Sequence, residues 1–229
     1  KARVVRGVVK PGAPLTVPYS PPTDESYSIA NWPEVVRKTG FSEYDTMADK
    51  VHKDKPQMAL NDEGWAAVKP VVTGRVQLIY TFDPLDGQTG EVADKMSRVQ
   101  TAHARDLVVA AVFTKAGEDN SRSEEEKKRD EERRVAVAKK FAVDTSLNHG
   151  MNTVPIQFDN QDLQNTAIFT DSRRHFSIVF LVGTDGRCRW VGNQWWQGFE
   201  TTVKSFIEAD PGVKARRRAE DAQAKASGN

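Results

Sequence analysis

Strand-sized apolar runs alternate with a helical pattern in the middle of this chain, and that order is the strongest restriction on its fold. Val76–Phe82 and Leu107–Phe113 are apolar runs of the length of buried strands. Between them, residues 91–103 repeat their apolar side chains at helical spacing. The sequence therefore predicts a strand, a helix and a second strand that belong to one sheet.

A β-hairpin is predicted further along the chain. Residues 176–183 and 188–192 have strand-like apolar patterns, and Thr184, Asp185 and Gly186 separate them. We expect a tight primed turn there, because Asp-Gly tolerates the positive φ angles of such turns. Strands that alternate with helices and then end in an antiparallel pair predict the α/β class, with a mixed sheet flanked by helices on both faces.

The other predicted elements are short or strongly charged. A charged helix is expected where opposite charges recur three and four residues apart, a pattern typical of a solvated helix face. The full set is a short helix over 61–68, the charged helix over 121–141, a strand-like stretch over 154–156 and a last helix over 197–209.

The flanks of this central region have a different composition. Residues 1–60 contain seven prolines and read as an extended N-terminal arm, because proline removes backbone donors and fixes φ. Its aromatic residues, Tyr19, Tyr27 and Trp32 among them, are expected to dock on a surface, either of the chain's own domain or of a partner. We assign 61–210 to one domain and 211–229 to a charged tail that is a frayed helix or disordered.

The charge balance and the length of the apolar runs argue against a nucleic-acid partner and a membrane span. The chain has 33 basic and 32 acidic residues, a net charge of +1, which gives no overall field for nucleic acid or anionic lipid. No apolar run approaches the roughly 20 residues of a membrane-spanning helix. We therefore expect no nucleic-acid partner and no membrane span.

Cys188 is the only cysteine, which limits both metal and redox chemistry. It forms no internal disulfide and no four-cysteine zinc site. On the second hairpin strand it is expected to be an inert buried residue, with a reactive thiol as the alternative. The acidic residues Asp83, Asp86 and Glu91 suggest a metal site only weakly, because Leu85 breaks the calcium-loop spacing. No metal ion and no cofactor is predicted.

Two segments carry a resemblance to a known group of proteins. Residues 74–82 are similar to the "GK-apolar strand-FW" lead-in, and residues 180–186 to the "FLID-x-DG" hairpin, of the thioredoxin-like superfamily in its TlpA/peroxiredoxin-like branch. The resemblance covers 74–207 and implies a thioredoxin-like fold. It also implies that residues 86–89 stand where that branch carries Cys-Gly-Pro-Cys, and that Ser177 stands where it carries a cis-proline.

The departures from that pattern concern the chemistry. Where the family has its two cysteines, this chain has Asp86 and Thr89. A carboxylate and a hydroxyl cannot cycle between dithiol and disulfide. Either residue can instead cap the helix that follows, at the positive end of its dipole. The active-site motif is therefore predicted to be degenerate, and no catalytic residue is assigned.

These inferences lead to a functional expectation. We expect a non-catalytic binding or structural subunit of a larger protein assembly, and the alternative is a thiol-dependent oxidoreductase or peroxiredoxin-like enzyme that uses Cys188. Trp195 and Trp196 are adjacent, so one is expected in the core and the other at a partner surface, together with the arm. Since proteins of the TlpA type commonly work outside the cytoplasm, the resemblance favours a periplasmic or exported location.

Overall fold

Five strands form one mixed sheet in the computed structural model of this protein, which describes residues 19–37, 57–58, 60, 65, 70–82, 87–113, 123–148, 156–157 and 178–226. The strands lie in the spatial order β3-β2-β1-β4-β5. In chain order they are β1 (Val76–Phe82), β2 (Leu107–Phe113), β3 (Ile156–Gln157), β4 (Ile178–Val182) and β5 (Cys188–Asn193).

The pairing of the strands confirms the expected architecture. β1 is parallel to β2, which is parallel to β3, whereas β4 is antiparallel to both β1 and β5. Helices flank this sheet, and the whole is a thioredoxin-like α/β fold. In chain order they are α1 (Glu34–Arg37), α2 (Thr89–Ala102), α3 (Glu124–Asn148), α4 (Phe199–Ala209) and α5 (Pro211–Ala226).

Alternate residues of the central strand supply two apolar clusters, as the period of two in a strand requires. Leu78 and Tyr80 belong to the larger cluster, which also contains Met96 of α2 and Phe206 of α4. Ile79 belongs to the smaller cluster on the other face of the sheet. Both faces of β1 are therefore buried, which explains why its sequence is almost continuously apolar.

The hairpin turn differs from the predicted one. The Gly186 N–H donates to the Gly183 carbonyl, and the Gly183 N–H donates to the Arg187 carbonyl, each at 2.9 Å. Three residues thus form the loop, and Gly186 takes a positive φ of 77°. The loop consists of the three residues predicted for it, but its i to i+3 hydrogen bond followed by a residue of positive φ is the pattern of a three-residue loop and not of a primed turn. The ladder shifts register between Leu181 and Val182, which leaves Arg189 as an extra residue in β5.

The charged helix begins a little later than predicted, at Glu124. Ser123 precedes it and accepts a hydrogen bond from the Glu126 N–H, while the Glu126 carboxylate accepts from the Ser123 N–H. This reciprocal pair is a capping box, which fixes the first turn of α3. The helix predicted over 61–68 falls almost wholly outside the described residues.

The segment after residue 210 also differs from the prediction. We expected a frayed or disordered tail, but Pro211–Ala226 forms a helix, and its Val213 lies in the larger apolar cluster. The reason is that the basic residues of the helix have buried partners. Arg216 is buried and donates from Nε to the Gly74 carbonyl at 2.9 Å.

Asp106 is the anionic partner of this helix. It forms an ion pair with Arg216 and accepts two hydrogen bonds from Arg217, at 3.0 and 2.6 Å. Burial alone would raise the pKa of Asp106, but the hydrogen bond and charge of Arg217, with the charges of Arg216 and Arg105, hold that pKa below its ordinary 3.8. The three arginines after residue 215 are therefore explained in part by an intramolecular contact.

Among the described helices, none has the length and apolar character needed to cross a membrane.

The Asp106 pair generates a stability prediction. Asp106→Asn should lower the free energy of unfolding at pH 7 by about 2 to 3 kcal/mol, because it leaves two arginines without their carboxylate. Since the pKa of Asp106 is lowered by folding, its contribution is complete above about pH 4 and is lost as the pH falls through the pKa of the folded state. Denaturant titrations at several pH values should therefore show the variant and the wild type converging in acid.

A matched control is Asp221→Asn, which removes an exposed carboxylate 3.7 Å from Arg105. It should change the free energy of unfolding by no more than about 0.5 kcal/mol. An Asp106→Asn penalty as small as that of the control, or one that persists unchanged at pH 2, would contradict the assigned role of the pair.

Candidate functional site

The strand pairing brings three chain segments to one end of the sheet. β1 ends at Phe82, the antiparallel β4 begins at Ile178, and β5 ends at Asn193, which is paired with Ile178. The Ile178 N–H donates to Thr81 Oγ1 at 2.8 Å and ties two of these segments together. We call this end of the sheet, where Phe82, Ile178 and Asn193 lie, the loop edge.

The predicted redox-loop positions fall only partly within the described residues. Asp86 and Ser177 lie outside them. Thr89 is the first residue of α2 and is half-buried. The N-cap position belongs to Gln88, whose carbonyl accepts a hydrogen bond from the Val92 N–H, so Thr89 lies one position inside the helix.

Cys188 lies at the opposite end of the sheet from the loop edge. It pairs with Val182, which pairs with Gln77 near the start of β1. Cys188 is five positions before Asn193 on β5, so at the rise of a β-strand it is about 16 Å from the loop edge. It is also on a strand and not at a helix N-terminus, where a dipole would favour the thiolate.

The environment of Cys188 suppresses its ionisation. Its side chain is fully buried among Met58, Phe180 and Val191. Burial raises the pKa of the thiol to about 12, although a hydrogen bond with the Trp190 carbonyl and the charge of Arg189 act in the opposite direction. The thiolate is the nucleophile in disulfide chemistry, and both burial and the raised pKa disfavour it at neutral pH. The expected burial of Cys188 is therefore found, and its lack of reactivity stays a prediction.

Trp195 and Trp196 divide as predicted from their adjacency. Trp196 packs on the larger cluster, with its ring 6.0 Å from that of Trp190. Trp195 is 44% exposed beside the loop edge, and together with Val71 it is one of two exposed large apolar side chains among the described residues. Lys95 of α2 lies over its ring, with Nζ 5.1 Å from the centroid. Trp195 therefore adds an aromatic surface next to the middle of α2.

The aromatic residues of the N-terminal segment are placed differently. Tyr27 and Trp32 are buried in the domain's own core, where the Trp32 ring lies 4.7 Å from that of Phe206. Tyr19 is half-buried at the same end of the domain. The prediction that Tyr27 and Trp32 contact a partner is therefore wrong. The arm was expected to dock either on its own domain or on a partner, and its described part docks on its own domain. This part is not extended throughout, because Asp24–Tyr27 and Ile29–Asn31 form 3₁₀ turns.

A buried arginine that the sequence analysis did not select lies under this segment. Arg189 of β5 is 7% exposed and forms an ion pair with Asp185 of the hairpin turn. Its guanidinium carbon is 5.5 Å from the Tyr27 ring and 5.2 Å from the Trp32 ring. Two aromatic faces next to a desolvated cation stabilise it by cation–π attraction. The sequence does contain a signal for this buried arginine, because Arg189 stands between Cys188 and Trp190 in a strand that was predicted to be apolar.

The metal alternative gains no support from the described residues. In the ranges that the structure describes, no group of three or more His, Cys, Asp or Glu side chains has the arrangement of a metal site. Glu91 is described and exposed on α2. Asp83 and Asp86 are outside those ranges.

Comparisons with known proteins find similarity only at the level of structure. No protein-family model matches the chain, and no curated protein sequence matches it. Similar solved structures include a thioredoxin-like protein in its oxidised form, at 15% identity and a TM-score of 0.45, with 68% of this chain and 97% of that one covered.

Two other structures have a comparable similarity. A thiol-disulfide isomerase from Corynebacterium glutamicum has 15% identity and a TM-score of 0.43, with 67% of this chain and 97% of that one covered. BsSco, a member of the Sco family of cytochrome c oxidase assembly proteins, has 15% identity and a TM-score of 0.42, with 69% and 96% covered. These likenesses are weak, and it is the chain's own strand order that identifies the fold.

Proposed function

We propose that this chain is a thioredoxin-like protein-binding subunit that does not carry out thiol–disulfide exchange. The observation that carries the proposal is the enclosure of its one sulfhydryl group. Dithiol chemistry needs two cysteines within reach of each other, and this sequence has one. A single-cysteine mechanism needs an accessible thiolate, and Cys188 is buried with a raised pKa.

The surface proposed for partner contact is the exposed side chain of Trp195 with its surroundings on α2. Tryptophan is enriched among the residues that dominate protein interfaces, because a large amphipathic ring is desolvated there at little entropic cost. The Lys95 ammonium nitrogen lies 5.1 Å from the centroid of the Trp195 ring and 5.4 Å from that of the Phe199 ring, which places the exposed ring beside the middle of α2 and the start of α4. The partner implied is a protein, since the chain's near-zero net charge does not favour a nucleic acid.

An extracytoplasmic location belongs to the same proposal. It rests on the sequence resemblance to TlpA-type proteins. Fractionation of native cells, with detection of the chain in the periplasmic or exported fraction, tests it directly.

The absence of redox activity is tested with insulin reduction in the presence of dithiothreitol. The purified chain should give the same rate of insulin precipitation as the reagent alone, because no thiolate of the folded chain can attack a disulfide. A Cys188→Ser variant should be indistinguishable from the wild type. Catalysis by the wild type that disappears in the variant would overturn the proposal in favour of the oxidoreductase alternative.

The partner surface is tested by affinity. A binding partner is first identified by cross-linking in native cells, and its dissociation constant is then measured with purified proteins. Trp195→Ala should weaken binding at least tenfold, the size typical of a central interface tryptophan. Val71→Ala, which truncates the other exposed large apolar residue, is the matched control and should change the affinity less than twofold. Equal affinities for the wild type and Trp195→Ala would exclude this surface.

A further inference from the structure

Asp210 is a buried carboxylate at a junction of three parts of the chain. It lies between α4 and α5 and is fully buried. Its Oδ1 accepts hydrogen bonds from the N–H groups of Gly212 and Val213, at 2.8 and 3.0 Å, and so caps the first turn of α5. The same carboxylate accepts from the hairpin residue Thr184, from Oγ1 at 2.6 Å and from the backbone N–H at 3.0 Å.

The N-terminal segment reaches this carboxylate through the hydroxyl groups of Tyr27 and Tyr19, which both hydrogen-bond Thr184. Tyr27 Oη is 2.7 Å from Thr184 Oγ1. Because the Thr184 hydroxyl donates its hydrogen to Asp210, the Tyr27 hydroxyl is the donor to Thr184. A relay therefore runs from Tyr27 through Thr184 to Asp210 and the amides of α5. In such a relay each hydrogen bond polarises the next, so loss of one weakens the others.

Close packing at Gly212 joins the two terminal segments a second time. A Cβ atom at Gly212 would overlap Thr184 Oγ1 and would lie 2.7 Å from the Tyr19 hydroxyl. The start of α5 can approach the hairpin and the N-terminal segment this closely only because residue 212 has no side chain. The position of α5 and the position of residues 19–37 are thus mutually dependent in packing as well as in hydrogen bonding.

Residues 19–37 form only short secondary-structure elements. They contain two 3₁₀ turns of four and three residues and a four-residue helix. Elements this short are not stable in water, so their order depends on docking. That docking consists of the buried side chains of Tyr27, Trp32 and Val36 and the contacts with Arg189.

We propose that residues 19–37 and the helix α5 form a two-part latch that closes and opens as one unit, with Asp210 as the coupling group. A protein that withdraws the N-terminal segment then also loosens α5, and a protein that holds α5 keeps the N-terminal segment docked. This coupling is reciprocal by thermodynamic necessity. It does not depend on the Trp195 surface.

Native-state hydrogen exchange of the full chain tests the coupling from the N-terminal side. Tyr27→Phe removes only the donor hydroxyl. It should accelerate exchange at the amides of residues 27–37 and at those of Gly212 and Val213 by the same factor, about fivefold to tenfold. The Tyr19 hydroxyl can replace the hydrogen bond that Tyr27→Phe removes. In that case the Tyr19→Phe/Tyr27→Phe double variant should show the full acceleration of exchange. Faster exchange in residues 27–37 with unchanged α5 amides, in both variants, would overturn the proposal.

The reverse experiment starts from α5. Gly212→Ala should accelerate exchange in residues 27–37, which do not contain the mutation, through displacement of Thr184. Gly90→Ala is the matched control, since a Cβ there meets nothing within 4 Å. Tyr80→Phe is the control for the Tyr27→Phe experiment, because it removes a tyrosine hydroxyl from the larger cluster on β1.

Two results would show that the two segments open independently. One is faster exchange in Gly212→Ala that is confined to α5. The other is equally fast exchange in residues 27–37 of a control variant whose melting temperature matches that of the test variant.

Discussion

The pairing of β1 with β2 on one side and β4 on the other is the constraint on which the rest of the structure depends. It buries both faces of β1, and its antiparallel half sets which chain segments meet at each end of the sheet. The loop edge receives the end of β1, the start of β4 and the end of β5, with Trp195 just beyond. Cys188 is carried by the same register to the far end. The separation of the sulfur atom from the loop edge is thus a consequence of strand register.

Two buried carboxylates fasten the terminal segments to this sheet. Asp106 holds α5 through Arg216 and Arg217, and Asp210 holds the start of α5, the hairpin and Tyr27. Each buried charge is compensated by ionic partners or by several hydrogen bonds, as burial of a charge requires. The charged composition that distinguishes the C-terminal region in the sequence therefore has a partly internal role. A domain with a modest apolar fraction gains stability from these polar junctions.

The sequence was sufficient for the fold but not for the junctions. The apolar runs at Val76–Phe82 and Leu107–Phe113 are buried on both faces, so they predicted strands with the right bounds. The two tryptophans could be divided because adjacent side chains diverge. Thr184 and Asp210, in contrast, are 26 residues apart, and Arg216 and Asp106 are 110 apart. A local sequence pattern cannot reveal contacts between residues so far apart in the chain. Residues 211–229 were therefore predicted to be a solvated tail, and the sequence could not decide whether the arm docks on its own domain or on a partner.

The central claim is that the one sulfur atom of this chain is enclosed and remains protonated at physiological pH. A pH titration of thiolate absorbance near 240 nm measures this directly, with Cys188→Ser as the blank that removes tyrosinate and backbone signals. The structure predicts no thiolate signal in the folded chain below about pH 10, since burial raises the pKa of Cys188 to about 12. A thiolate that titrates in the folded chain near pH 8 or below would contradict the account.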